Sequence, residues 1–106
     1  MWLLLAHGEV FGAGLVVSPA VWWAGEAIVV QVAAAPAGTP LPRVWLDVGT
    51  DEGRGTVDAA RRLRAALQAR GWAPAYREEP GAGHDEAAWA ARVEPMLRFL
   101  YGRPAR

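Results

Sequence analysis

Cysteine is absent from these 106 residues, which removes disulfides, thiolate nucleophiles and thiolate zinc sites together. Lysine is absent as well: all eleven basic residues are arginine, scattered along the chain, and eleven acidic residues balance them to a formal net charge of zero. No basic surface is therefore on offer for a phosphate backbone, and nucleic acid is not an expected partner. Histidine is scarce. His7 and His84 are the only two, too far apart in sequence to promise a metal set, so neither a metal nor any other cofactor is expected. Long apolar runs are missing too. Although 53% of the residues are hydrophobic, nothing approaches the ~20 consecutive apolar residues of a membrane span. The opening "MWLLLA" is too short for a span and lacks the basic flank of a signal peptide. No membrane partner is expected, and the cytoplasm is the expected location.

What is present reads as one domain, residues 1–106, large enough to bury roughly 60–70% of its unfolded surface. Extended and helical patterns alternate. "AGLVVS" (Ala13–Ser18), "RVWLDVGT" (Arg43–Thr50) and "APAYREE" (Ala73–Glu79) have the length and composition of strands, the last more polar and suited to a position nearer an edge. "GEAIVVQVAAA" (Gly25–Ala35) is read as a helix. So is "TVDAARRLRAALQARG", with Thr56 as the expected cap, Val57, Ala60, Leu63 and Leu67 as its apolar face and Gly71 as its stop. A last helix is expected from about Asp85, burying Trp89, Val93, Met96, Leu97 and Leu100, with Pro95 kinking or splitting it. Trp2–Gly8 resembles the final turns of a helix already under way. The strand starts lie about thirty residues apart, the spacing of right-handed βαβ units. The expectation is an α/β fold: three α-β-α layers around a short parallel sheet of about three strands.

Reactive groups in such sheets gather at the carboxyl ends of the strands. Those ends carry Ser18, then Asp51 and Glu52, then His84. Serine, acid and histidine in that order invite a triad reading, since an acid can fix the imidazole tautomer and leave the other nitrogen as a base. The serine opposes it. "VVSPA" places a valine before Ser18 and a proline after it, where a nucleophile elbow needs small residues and a backbone N–H. Ser18 is better suited to bonding the turn or lining a pocket. His84 follows "PGAG", whose glycines can swing it back over the sheet. Asp47, inside a strand, reads as a hydrogen-bonded structural acid, and His7 as a partner for a helix C-terminus. "GTDEGRG" fits neither phosphate-loop spacing, and its two acids would repel phosphate.

The segments "EVFGAGLVVSPAVWW", "VWLDVGTDEG" and "YREEPGAGHDEAAWAARV" resemble the C-terminal portion of the esterase family of α/β-hydrolases that includes enterochelin-type esterases, esterase D and mycolyltransferases. The resemblance implies the C-terminal half of that fold, with Glu52 as the triad acid, Asp51 as the fallback acid and His84 as the base. It also implies that Ser18 lies near the substrate pocket, with Trp22 and Trp23 as a wall facing a small-molecule ester. Members of the family carry their nucleophile in a glycine-rich elbow upstream of a helix whose end resembles "LLLAHGEVFG". The expectation is thus a partial hydrolase domain without the elbow, inactive until a nucleophile segment is supplied. The competing expectation is a non-catalytic α/β module, a truncated relative that binds or self-assembles, with a homodimer forming through an exposed sheet edge.

Overall fold

The computed structural model describes residues 1–103. Three parallel strands, β1 (Ala13–Val17), β2 (Arg43–Gly49) and β3 (Ala75–Glu79), lie side by side in chain order. Ala13 pairs with Arg43 and Trp45 with Ala75. Helix α1 (Trp2–Ala6) precedes β1, α2 (Ala27–Ala33) joins β1 to β2, and α3 (Arg54–Ala69) joins β2 to β3. Two further helices, α4 (Glu86–Ala90) and α5 (Val93–Tyr101), follow β3. The fold is α/β, as the alternating pattern implies.

Because strand side chains alternate between faces, β2 serves two different neighbourhoods. Val44, Leu46 and Val48 are fully or almost fully buried and pack with Val32 of α2 and Ala60, Leu63 and Leu67 of α3. Leu4 of α1 reaches the same side over Gly14, where any Cβ would lie 2.6 Å from a leucine methyl carbon. The opposite face of β2 carries Trp45 and Asp47. Trp45 meets Phe99 of α5 edge-on at 5.9 Å, and Asp47 meets Arg92, the residue just before α5. A central strand buried on both sides is what an all-parallel sheet requires.

Helix α3 follows the predicted stripe, with Val57, Ala60, Leu63 and Leu67 all buried. It begins earlier than Thr56, however, at Arg54, because Gly53 takes φ +100° and turns the chain straight into the helix. Its end is a Schellman motif. Gly71 at φ +87° donates to the Gln68 carbonyl and Trp72 to the Leu67 carbonyl, while Trp72 packs into the same core as Leu67.

The last helix is split, and not where its apolar pattern would have it face. Asp85 caps α4 by accepting from the Ala88 N–H at 2.8 Å. A continuous helix would then drive the ring of Pro95 into the carbonyl of Ala91, so the chain breaks at Ala91–Arg92 and Pro95 falls in the first turn of α5, where its missing N–H costs nothing. The restart aims Arg92 inward. Met96 and Phe99 follow it onto the sheet, whereas Val93 and Leu97, expected in the core, are 46% and 49% exposed. The buried ion pair, not the apolar periodicity, sets the rotation of α5.

The two sheet edges differ. Arg43 N–H donates to the Gly12 carbonyl and Ser18 N–H to the Asp47 carbonyl, so the even-numbered residues of β1 turn their backbone groups to β2. Those of Ala13, Leu15 and Val17 point to the open side. On the other edge β3 displays Arg77, Glu78 and Glu79.

Arg92 and Asp47 have side chains 1% and 0% exposed, so removing one partner strands a charge. Arg92→Met should lower the unfolding free energy by about 3–5 kcal/mol in urea denaturation. Adding Asp47→Asn should recover part of the loss, since no unpaired charge then remains.

Candidate active site

The site is assembled where the carboxyl ends of the three strands meet. Beyond β2 the chain makes a short 3₁₀ turn, Thr50–Glu52, and beyond β3 a loop crosses directly over Gly49. A Cβ at Gly49 would lie 2.1 Å from the Ala82 carbonyl oxygen, so only glycine permits this crossing. Two bonds lace the loop to the turn: Asp51 N–H donates to the Ala82 carbonyl at 3.0 Å, and Gly81 N–H donates to the Thr50 hydroxyl at 2.8 Å. The crossing ends at His84.

There the imidazole Nδ1 lies 2.7 Å from Glu52 Oε1. The Glu52 side chain is 1% exposed and the His84 side chain 62%, so a buried acid backs a histidine that faces outward. The indole of Trp89 stands edge-on to the imidazole at 5.0 Å. The other carboxylate oxygen of Glu52 accepts from the Gly49 N–H and from the Ser18 hydroxyl, the latter at 2.7 Å. Burial alone would push the Glu52 carboxyl up. The bonds from Gly49, His84 and Ser18, with the charge His84 can carry, outweigh that and hold it below the usual carboxylate range.

Ser18 is buried, at φ +44°. Besides donating to Glu52, its oxygen accepts from Trp89 Nε1 at 3.2 Å and from Arg92 Nη2 at 3.0 Å. Arg92 in turn grips Asp47 through Nε at 2.9 Å and Nη2 at 3.3 Å, and Trp45 Nε1 donates to the same carboxylate at 2.9 Å. The Ser18 N–H completes the shell around Asp47 Oδ1 at 3.1 Å.

A cleft of about 210 Å³ opens over this arrangement, with Ser18, Trp22, Glu52, Thr56 and His84 in its wall. Trp22 therefore borders it, 60% exposed. Trp23 does not: it lines a separate apolar pocket of about 330 Å³ with Trp2, Val21, Ile28 and Leu63. Asp51 lies exposed on the same turn as Glu52, and among the described residues its side chain makes no hydrogen bond. Glu52, not Asp51, is the acid within reach of His84. Sequence reasoning did not pick out Arg92, and it read Trp89 as a core residue of the last helix and not as part of the site. The available signal was an arginine on the Trp89–Met96 stripe of an otherwise apolar helical face. Among the described residues no three His, Asp or Glu side chains gather as a metal site, and no helix is long and apolar enough to cross a membrane.

No family model matches the chain, and no curated protein sequence matches it. Among solved structures, the siderophore hydrolase EstB from Aspergillus nidulans superposes with a TM-score of 0.63 at 18% identity. The likeness is one of fold. It takes in 98% of this chain but 45% of the siderophore hydrolase, so the chain spans less than half the length of that protein.

Glu52 offers a pH test. Its folded carboxyl lies below its ordinary value near 4.5, so ionised Glu52 favours the folded state in full above that value, and the contribution is lost as pH falls through the folded value. Glu78, drawn down to about 2 by hydrogen bonds from Arg61 and Tyr76, behaves alike and is common to wild type and variant. The gap in urea midpoint between wild type and Glu52→Gln should therefore be widest near neutrality and narrow on acidification.

Proposed function

We propose that this chain supplies the acid and the histidine of a serine-type carboxylic-ester hydrolase, as the C-terminal half of an α/β-hydrolase fold. The observation that carries the reading is the 2.7 Å contact between a buried Glu52 carboxylate and an outward-facing His84 at the tips of adjacent parallel strands. An acid so placed holds the imidazole and stabilises the imidazolium formed when the other nitrogen takes a proton from an attacking hydroxyl. Ser18 is not that hydroxyl. Its oxygen lies against Glu52, Trp89 and Arg92, on the acid side of the pair. The nucleophile and the oxyanion donors come from a segment outside these residues, and the substrate is a small ester entering the cleft beside Trp22.

The fold match to a siderophore hydrolase, of which the chain spans 45%, supports the hydrolase-like fold on which this reading rests. The test is hydrolysis of p-nitrophenyl acetate by the chain alone and by a fusion carrying the G-x-S-x-G half of an esterase ahead of Met1. The fusion should hydrolyse the ester, and His84→Ala or Glu52→Gln should reduce its rate by roughly 10³-fold or more, as loss of a triad member does. A folded fusion no faster than the chain, or no slower with His84→Ala, sinks the reading.

A second reading rests on the β1 edge. The backbone groups of Ala13, Leu15 and Val17, unpaired among the described residues, lie on the strand that α1 covers through Leu4, and Trp2, Leu3 and Phe11 are exposed nearby in the chain at 54%, 51% and 41%. An edge of this kind pairs with another strand. In that reading the chain is a self-associating module, two copies joining β1 to β1 about a two-fold axis. Sedimentation velocity should then show a dimer that grows with concentration, and a monomer throughout the micromolar range would exclude it.

A further inference from the structure

Ser18 poses a question of its own. It holds a backbone conformation, φ +44°, that glycine adopts freely and a residue with a Cβ adopts at a cost, yet the position is not glycine. Its hydroxyl has one proton to give and two lone pairs to accept with. Both acceptor positions are occupied by groups that can only donate: Arg92 Nη2 at 3.0 Å and Trp89 Nε1 at 3.2 Å. The single proton must therefore go to Glu52 Oε2, at 2.7 Å. That oxygen also receives the Gly49 N–H, and with two donors it is filled. Only Oε1 remains for His84. An ionised carboxylate only accepts, so Nδ1 must carry the ring proton and Nε2 is left as the lone-pair nitrogen of a ring in the cleft wall.

We propose that Ser18 is the positioning residue of the Glu52–His84 pair: with both of its acceptor positions taken by Arg92 and Trp89, its one proton holds Oε2 and keeps Oε1 turned to His84, whose tautomer that contact sets. The claim rests on the hydrolase reading for its consequence but not for its geometry. Asp47 fixes the far end, because its contacts with Arg92, Trp45 and the Ser18 N–H fill both of its oxygens. The conformational cost at Ser18 is then the condition for keeping a hydroxyl there.

Ser18→Gly is the informative variant, since it removes the hydroxyl while relaxing the backbone, so a change at His84 cannot be put down to a strained turn. In the ¹⁵N-labelled chain, at a pH where the ring is neutral, two-bond proton–nitrogen spectra report which ring nitrogen is protonated. The wild type should show His84 with its proton on Nδ1. In Ser18→Gly, and in Ser18→Ala as a second variant, the Nδ1–H to Nε2–H ratio should fall roughly three- to tenfold, the range set by one hydrogen bond's net contribution. The Trp45 indole N–H, bonded to Asp47, serves as the marker that the fold is kept, and His7 as the ring whose tautomer should not move. An unchanged His84 ratio in both variants, or loss of the Trp45 signal in both, overturns the proposal. Because no substrate is needed, a chain that never cleaves an ester can still pass, and an active fusion can still fail.

Discussion

A guanidinium enclosed beneath a three-stranded sheet is the constraint on which this small domain turns. Arg92 is 1% exposed, and charge at that depth is tolerable only when each of its nitrogens finds an acceptor. Asp47 takes two of its N–H groups, the Ala88 carbonyl one, and the Ser18 hydroxyl another. Meeting that demand fixes two things together: the rotation of α5 and the orientation of the hydroxyl that meets Glu52.

Stability and site geometry are therefore the same problem in this chain. The apolar face of the sheet, with Val44, Leu46 and Leu63 fully shielded, supplies the driving force that any domain of this size needs. The other face spends its burial on a polar network instead. Such networks rigidify only when every member is satisfied, and here the satisfied members lead without interruption from Asp47 to the imidazole. The exposed end of the string is the end at which chemistry would be done.

Glycine plays a narrower role than its count implies. Gly49 matters because the loop after β3 passes over it at a distance no side chain allows. That crossing, pinned by Asp51 and Gly81, sets how far His84 can reach. A loop longer or looser by one residue would leave the acid where it is and carry the histidine away.

The sequence by itself determined the alternation of elements, because runs such as Val44–Val48 and the Val57–Leu67 stripe advertise their periods locally. It also carried the acid and the histidine to neighbouring strand tips, since consecutive strands of a βαβ chain are most often neighbours in space. Composition and spacing did not separate Asp51 from Glu52, which the family resemblance alone ranked; the tertiary structure shows which one reaches His84, because the directions of these adjacent residues depend on a single 3₁₀ turn. Likewise it separated Trp22 from Trp23, exposed Val93 and Leu97, and drew Arg92 inward. Periodicity records how often a helix shows an apolar face. Which face wins depends on a partner 45 residues away, and the pairing of Arg92 with Asp47 exists only once the sheet and the final helix have met.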